Sequence, residues 1–274
     1  MSELIAAWPI VLALIVTGIC AGILAGLLGV GGGIVIVPVL YFLLQGFGVS
    51  PESAMTIATA TSLATIVPTA ISSIRAHHKK GNIDVELLKY WSVFILMAAV
   101  VGSLLASSVR GTALTMMFGI IAILVSLNML LRSGSPALFQ QLPGKLGQFF
   151  MAWAVGGLSV MIGIGGGTIG VPLLNAFNFP AHRAVGTAAA FGLLIALPGV
   201  ITLILVGTTP PDAPIGTWRL INLPAFFLII PLTILFAPVG VKIGSILNQQ
   251  QLKKAFAIAL AITGGRMLMQ ALGI

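Results

Sequence analysis

Two segments carry the residue types best suited to hold a ligand. Gly29-Val30-Gly31-Gly32-Gly33-Ile34-Val35-Ile36-Val37-Pro38 and Gly163-Ile164-Gly165-Gly166-Gly167-Thr168-Ile169-Gly170-Val171-Pro172 follow one pattern. Glycine permits positive φ and close backbone approach. A helix starting at such a run leaves its first N–H groups unpaired, and its macrodipole adds about half a positive charge. Pro38 and Pro172 fall near the first turn or so of these helices, where a missing N–H costs least. Two such ends meeting inside a membrane make an anion site without a buried Lys or Arg. Its residues are Gly31, Gly32, Gly33, Gly165, Gly166 and Gly167. Thr168 could cap the second half-helix or touch the anion, and Asn175 is a polar group at membrane depth. The bland alternative is a crossing that only lets helices pack. Irregular backbone within a membrane must be buried in protein or line a cavity, which favours the site.

Thr56, Thr59, Ser62, Thr65 and Thr69 form a second element. Their spacing puts five hydroxyls on one helical stripe. Pro68 cannot donate to the Ala64 carbonyl, so a kink and a bare acceptor are expected there. Such a stripe can hydrogen-bond an oxyanion along a path, or its hydroxyls can simply bond back to their own helix. The matching segment in the second half has Thr187 and a kink at Pro198 but few hydroxyls, as a supporting wall would. His77-His78-Lys79-Lys80 reads as a topology signal before it reads as an anion collector. His182 and Arg183 read as a solvated helix start.

The elements that must position these residues are membrane helices. Charged residues make up 7% of the 274, apolar ones 58%, and mean hydropathy is +1.16. A soluble domain carries about 25% charge. A soluble enzyme, a nucleic-acid module and a disordered chain are therefore excluded, and the net charge of +8 belongs to loops on the inner face. Long unbroken apolar runs favour helices over a barrel. The expected fold is an all-α polytopic protein of the cytoplasmic membrane. Met1-Ser2-Glu3-Leu4 lacks the basic region of a cleaved signal peptide, and Cys20 reads as a packed hydrophobe.

The glycine pattern is part of a longer duplication. Gly22 matches Gly156, Ala54 and Ala58 match Ala184 and Ala188, Pro68 matches Pro198, and Gly102, Phe118 and Met129 match Gly240, Phe256 and Met267, at nearly constant offset. Two homologous halves follow, 1–132 and 148–274, joined by a cytoplasmic linker over 133–147. Paired Gly-x-Gly-Gly-Gly-x4-Pro elements, with Thr61-Ser62-Leu63 after the first, resemble the sulfite exporter TauE/SafE family over nearly the whole chain. Its members are membrane transporters linked to sulfite, sulfonates and other small organic or sulfur-containing anions. The resemblance implies export of such an anion and a role for Thr61 and Ser62. Phe191-Gly192 stands where the second half would have Thr-Ser, so the halves need not contribute equally.

Length and charge then decide topology. Arms of about a dozen residues, Met151–Ile162 and Thr168–Phe179, reach roughly 18 Å against a hydrocarbon core of about 30 Å. Taken as re-entrant hairpins they add no crossing. The remaining spans are 53–74, 86–108, 112–131, 184–206, 220–243 and 252–272. Only Arg110, Arg219 and Arg266 then lie outside, and the second half is inverted relative to the first, a known transporter arrangement. Trp8, Trp91 and Trp218 are expected as interfacial anchors, and Gly18, Gly22 and Gly26 as a packing stripe.

The functional expectation is a secondary transporter of a small anion, working by alternating access with gates at Pro68 and Pro198. An anion channel is the alternative; an intramembrane enzyme and a non-transporting subunit rank below it. Glu3, Glu52, Asp84, Glu86 and Asp212 all fall in loops or at helix ends, so a proton relay through buried acids is not expected. No metal-ligand spacing, nucleophile constellation or Walker lysine is present, so no cofactor is expected. The expected partners are the anion and membrane lipid, with no nucleic acid, and self-association is compatible with the reading.

Overall fold

The computed structural model describes residues 2–131, 138–244 and 249–274. These fold into ten helices: α1 (Ser2–Leu28), α2 (Gly33–Gly46), α3 (Pro51–His78), α4 (Val85–Ser108), α5 (Gly111–Leu131), α6 (Lys145–Met161), α7 (Gly167–Ala176), α8 (Ala181–Val206), α9 (Leu223–Ile243) and α10 (Gln249–Leu272). A two-residue hairpin, β1 (Thr217–Trp218) with β2 (Ile221–Asn222), precedes α9. Side chains start three of the long helices. Ser50 accepts from the Ser53 amide ahead of α3, Asp84 from Leu87 ahead of α4, and Asn222 from Ala225 ahead of α9. The short helices α2 and α7 start at glycine with no side-chain cap.

Glycine sets the closest helix pairs. Gly18, Gly22 and Gly26 of α1 lie against Leu232, Thr233 and Ala237 of α9, so these helices run parallel. Gly156 of α6 lies against Ile95 and Ala98, and Gly102 of α4 against Val160, so α4 and α6 also run parallel. α5 and α10 are antiparallel, with Gly119 beside Leu268 and the Ser126 hydroxyl donating to the Ala257 carbonyl at 2.6 Å. α3 and α8 cross the middle antiparallel, with Leu63 beside Gly199 and Ala70 beside Gly192. The stripe on α1 thus has the packing role expected of small residues.

Cations separate to two ends. Arg75, Lys79, Lys80 and Lys242 share one cleft, and Arg183 pairs with Asp84 at 2.7 Å nearby. At the opposite end Arg110 pairs with Glu52 at 3.2 Å, and the Arg266 guanidinium sits over Phe42. Between the ends, large apolar side chains face outward along α4, including Val93, Met97, Val101 and Leu105. Among the described residues, six helices are long and apolar enough to cross a membrane: residues 8–28 of α1, α3, α4, α5, α8 and α9.

Several expectations need correction. α6 has 17 residues, so the arm entering the second glycine run is longer than the dozen expected, and α1, which enters the first, has 27 where only Val11–Leu28 is expected. Only the exit arms are short, α2 with 14 residues and α7 with 10. Pro38 and Pro172 lie in the second turn rather than the first, because the helices begin at Gly33 and Gly167. Trp91 is no interfacial anchor: it is fully buried, donates to Gln148 Oε1 at 3.1 Å and stacks on Phe191. The start of the linker, 133–137, and Arg132 lie outside the described residues.

Candidate functional site

The two glycine runs meet backbone to backbone. A Cβ at Gly31 would lie 3.2 Å from the Gly165 Cα, and one at Gly165 would lie 2.5 Å from the Val30 carbonyl oxygen. Gly33 faces the Gly163 carbonyl, and Gly167 faces the Gly29 carbonyl. Gly31 and Gly32 hold φ of 70° and 80°, a region that side chains strain. The approach is possible only because neither run has side chains. Residues 29–34 and 162–168 are all buried.

That burial leaves backbone donors stranded. Among the described residues, the amides of Gly31, Gly32, Gly165, Gly166 and Gly167 make no backbone hydrogen bond. Buried amides are paired in the great majority of cases, so five around one crossing are a concentration of unmet donors. Both half-helix dipoles place their positive ends here. Two side-chain hydroxyls nearby are equally stranded: Thr59 Oγ1 and Thr168 Oγ1 are buried without a partner. Thr59 lies against Gly163, and Thr168 is the second residue of α7.

The hydroxyl stripe divides by role. Ser62 Oγ donates to the Gly163 carbonyl at 2.7 Å and so ties α3 to the second glycine run. Thr56 and Thr65 bond back to Glu52 and Ser62 of their own helix, and Thr69 bonds to both Thr65 and Thr233. Thr61 does not touch the crossing: its hydroxyl accepts from the Asn222 amide at 2.9 Å. Thr187 does the same for Asp84 at 2.8 Å. These two threonines therefore each hold the capping residue of a neighbouring helix, α9 and α4. Pro68 and Pro198 lie inside continuous helices on either side of the α3–α8 contact.

Open volume lies beside the crossing. A cavity of about 400 Å³ at the basic end has Gly26, Leu27 and Leu28 in its buried floor, and Val171 and Asn175 of α7 in its wall. Asn175 Oδ1 is buried there without a hydrogen-bond partner. His77, Lys80, Asn82 and His182 supply its polar lining, and among the described residues no carboxylate lines it. His77 is 4% exposed. The Gly26 carbonyl can only accept, so His77 Nε2 donates to it at 2.9 Å, and Asn82 donates to Nδ1 at 3.4 Å.

These features make a family comparison decisive. The family model described as "Sulfite exporter TauE/SafE" matches residues 14–267. The chain belongs to that family. A "Probable membrane transporter protein" of Haemophilus influenzae is 30% identical to it, covering 95% of this chain and 98% of that protein. A protein of the same description from Methanocaldococcus jannaschii is 28% identical over 93% and 94% of the two chains. Another from Bacillus subtilis is 28% identical over 71% and 78%. No solved structure matches the chain. With six candidate spans, this TauE/SafE protein is a multi-pass membrane transporter.

The sequence reading of this TauE/SafE chain set His77, Lys80 and His182 aside and passed over Asn82. One signal was available. His77 continues the spacing Thr65, Thr69, Ser73 on the same face of α3, which points it inward rather than into solvent.

Proposed function

We propose that this protein is a secondary transporter that exports a small anion, such as sulfite or an organosulfonate, across the cytoplasmic membrane. It works by alternating access around the starts of α2 and α7, and it is not an enzyme. One observation carries the reading: five buried amides around the glycine crossing make no backbone hydrogen bond. An oxyanion supplies acceptors on every side and offsets the cost of burying those donors. The basic cavity is the approach from the inner face under the positive-inside rule. His77, Lys80, Asn82, Asn175 and His182 draw the anion toward the crossing, where Gly31–Gly33, Gly165–Gly167, Thr59, Ser62 and Thr168 receive it. The lack of carboxylates in the cavity keeps its field favourable to anions.

The proposal includes two inverted halves with re-entrant glycine hairpins. Packing partners support it. α1 lies on α9 as α6 lies on α4, both pairs parallel, while α3–α8 and α5–α10 are antiparallel. Exchanging each helix for its counterpart five places on maps these pairs onto one another. α6 starts and α7 ends at the basic end, near Tyr90 and His182. α2 ends at the opposite end, where Gln270 donates to Gln45. Opposed hairpins then let Pro68 and Pro198 gate opposite faces, as broken-helix transporters do.

Purified protein in liposomes tests this directly. Efflux of sulfite, thiosulfate, sulfonates and carboxylates is measured against concentration. Saturation with preference for a sulfur oxyanion supports a carrier, whereas a linear, high-conductance flux makes it a channel. Gly32→Leu abolishes flux and Ser62→Ala lowers it, while Arg110→Gln at the far end leaves it unchanged. Equal losses from all three would remove the crossing as the site.

A further inference from the structure

A second cavity, of about 600 Å³, opens between α3 and α9 at the basic end. Its apolar part is lined by Pro68, Ile71, Ile234 and Pro238, and its rim by Arg75, Lys79, Lys80 and Lys242. Among the described residues, no carboxylate lines it. We propose that this cleft is a binding site for an anionic phospholipid, with the phosphodiester headgroup among the four cations and an acyl chain along the prolines and isoleucines.

The chemistry of the two helices opens the cleft. Pro238 has no N–H for the Ile234 carbonyl, and Ser72 Oγ crosses from α3 to donate to it at 2.9 Å. Thr69 and Thr233 join the same helices one turn away at 2.7 Å. Beyond these two bonds the helices part, and Lys80 Nζ reaches the Val241 carbonyl at 3.0 Å at the far end of the gap. The cleft faces outward, because Arg75, Lys79 and Lys242 on its rim are exposed and Leu235 and Val239 of α9 point away from the protein.

Charge and polarity together select the occupant. Arg75 and Lys79, exposed on the rim, attract an anion to the mouth of the cleft. A free phosphate would answer that charge but leave the isoleucine–proline part empty. A lipid meets both, and basic pockets between membrane helices at the inner face suit anionic headgroups. The cleft lies on the other side of α3 from the glycine crossing, and it shares Lys80 and Val241 with the smaller cavity.

The test uses full-length protein in a neutral detergent. Native mass spectrometry and thermal unfolding are followed with phosphatidylglycerol, phosphatidylcholine and inorganic phosphate. Expected is one tightly retained phosphatidylglycerol that raises the unfolding temperature saturably, with no effect of phosphatidylcholine or millimolar phosphate. Arg75→Gln with Lys79→Gln weakens retention roughly 25-fold, about fivefold per neutralised cation. Lys89→Gln with Lys145→Gln, elsewhere at the same end, changes it less than about twofold. Ile71→Trp keeps every charge but fills the cleft, and it displaces the lipid too. Equal loss in the control pair, equal stabilisation by phosphatidylcholine, competition by phosphate alone, or full retention in Ile71→Trp would each overturn the proposal.

Discussion

Helices α3 and α8 cross the centre of the molecule side by side, and each follows a short helix that starts at glycine. Their inner faces are opposite in character. α3 buries Thr59, Thr61, Ser62, Thr65, Thr69, Ser73 and His77, whereas α8 buries Ala184, Ala188, Phe191, Ile195 and Ala196 with few hydroxyls. Ser62 meets the second glycine run with a hydrogen bond. Phe191 meets it with its Cβ against Gly166, and its ring lies beside Gly170 and stacks on Trp91 at 5.4 Å. One crossing is therefore held by a polar wall and a dry wall. An anion path needs the first, and the rigid backing that keeps unmet amides in place needs the second.

The largest expected effect probes the dry wall. Phe191→Ala removes a fully buried ring and its stacking partner's contact, which costs about 3–5 kcal/mol. The unfolding temperature in detergent should fall steeply, while the folded fraction transports with unchanged apparent affinity. A variant that unfolds normally but no longer transports would put α8 on the path and break the contrast.

The glycine runs come next. Gly33→Ala pushes a methyl to within 2.8 Å of Ser62 Oγ and against the Gly163 carbonyl, and Gly167→Ala drives one into the Gly29 carbonyl. Overpacking of this kind costs about 1–3 kcal/mol. Gly192→Ala, whose nearest neighbours would be 3.9 Å away, should stay within about 0.5 kcal/mol. Thermal unfolding of the three variants separates a backbone crossing from ordinary helix packing. A costly Gly192→Ala would mean that α8 is as tightly apposed as the runs themselves.

The difference between the two walls was half legible in the sequence. Composition and the paired Gly–Pro pattern suffice for the membrane helices, because lipid forces helical backbone and glycine forces close approach. The hydroxyl spacing placed α3's polar stripe correctly, and Phe191-Gly192 already marked α8 as different. Hydrogen-bond partners were not legible. Thr61 and Thr187 look like ligand residues but hold capping residues of α9 and α4, contacts that span more than a hundred residues. Trp91 looked like an interfacial anchor because its position near a helix start says nothing about which side α8 packs on. His77 looked like surface charge because it opens a loop-bound basic run, although helix α3 extends far enough to bury it.

Polar substitution across the walls gives an intermediate effect. Ser62→Ala leaves the buried Gly163 carbonyl without its donor, a loss of about 1–3 kcal/mol. Gly192→Ser adds the counterpart hydroxyl on α8, with room for its Cβ 3.9 Å from the unpaired Gly166 amide. That hydroxyl competes with the anion for the amide. Flux assays should show a several-fold higher half-saturating concentration with no loss of stability. Tighter substrate binding in Gly192→Ser would mean that both walls can be polar and that the dry one is incidental.

The smallest effect separates the two helices at their starts. α8 begins after Pro180 with no side-chain cap, whereas α3 is capped by Ser50 and covered by Asp212 of the loop before α9. Hydrogen bonds from Ser53 and Ser50 hold the Asp212 carboxyl down to about 2 from its ordinary 3.8, and the positive end of the α3 dipole favours the same charge. A depressed carboxyl stabilises the fold above its ordinary value and loses that contribution as pH falls through the folded one. The window is therefore about pH 4 down to about pH 2. The group is almost fully exposed, so solvent screening keeps the effect below about 1 kcal/mol. Asp212→Asn should unfold slightly earlier than the parent at neutral pH, and the two melting temperatures should converge across that window. Only the difference between the two proteins reports on Asp212. A difference that persists at pH 2 would mean that the loop is held by packing, and that α3 needs its anionic cover no more than α8 does.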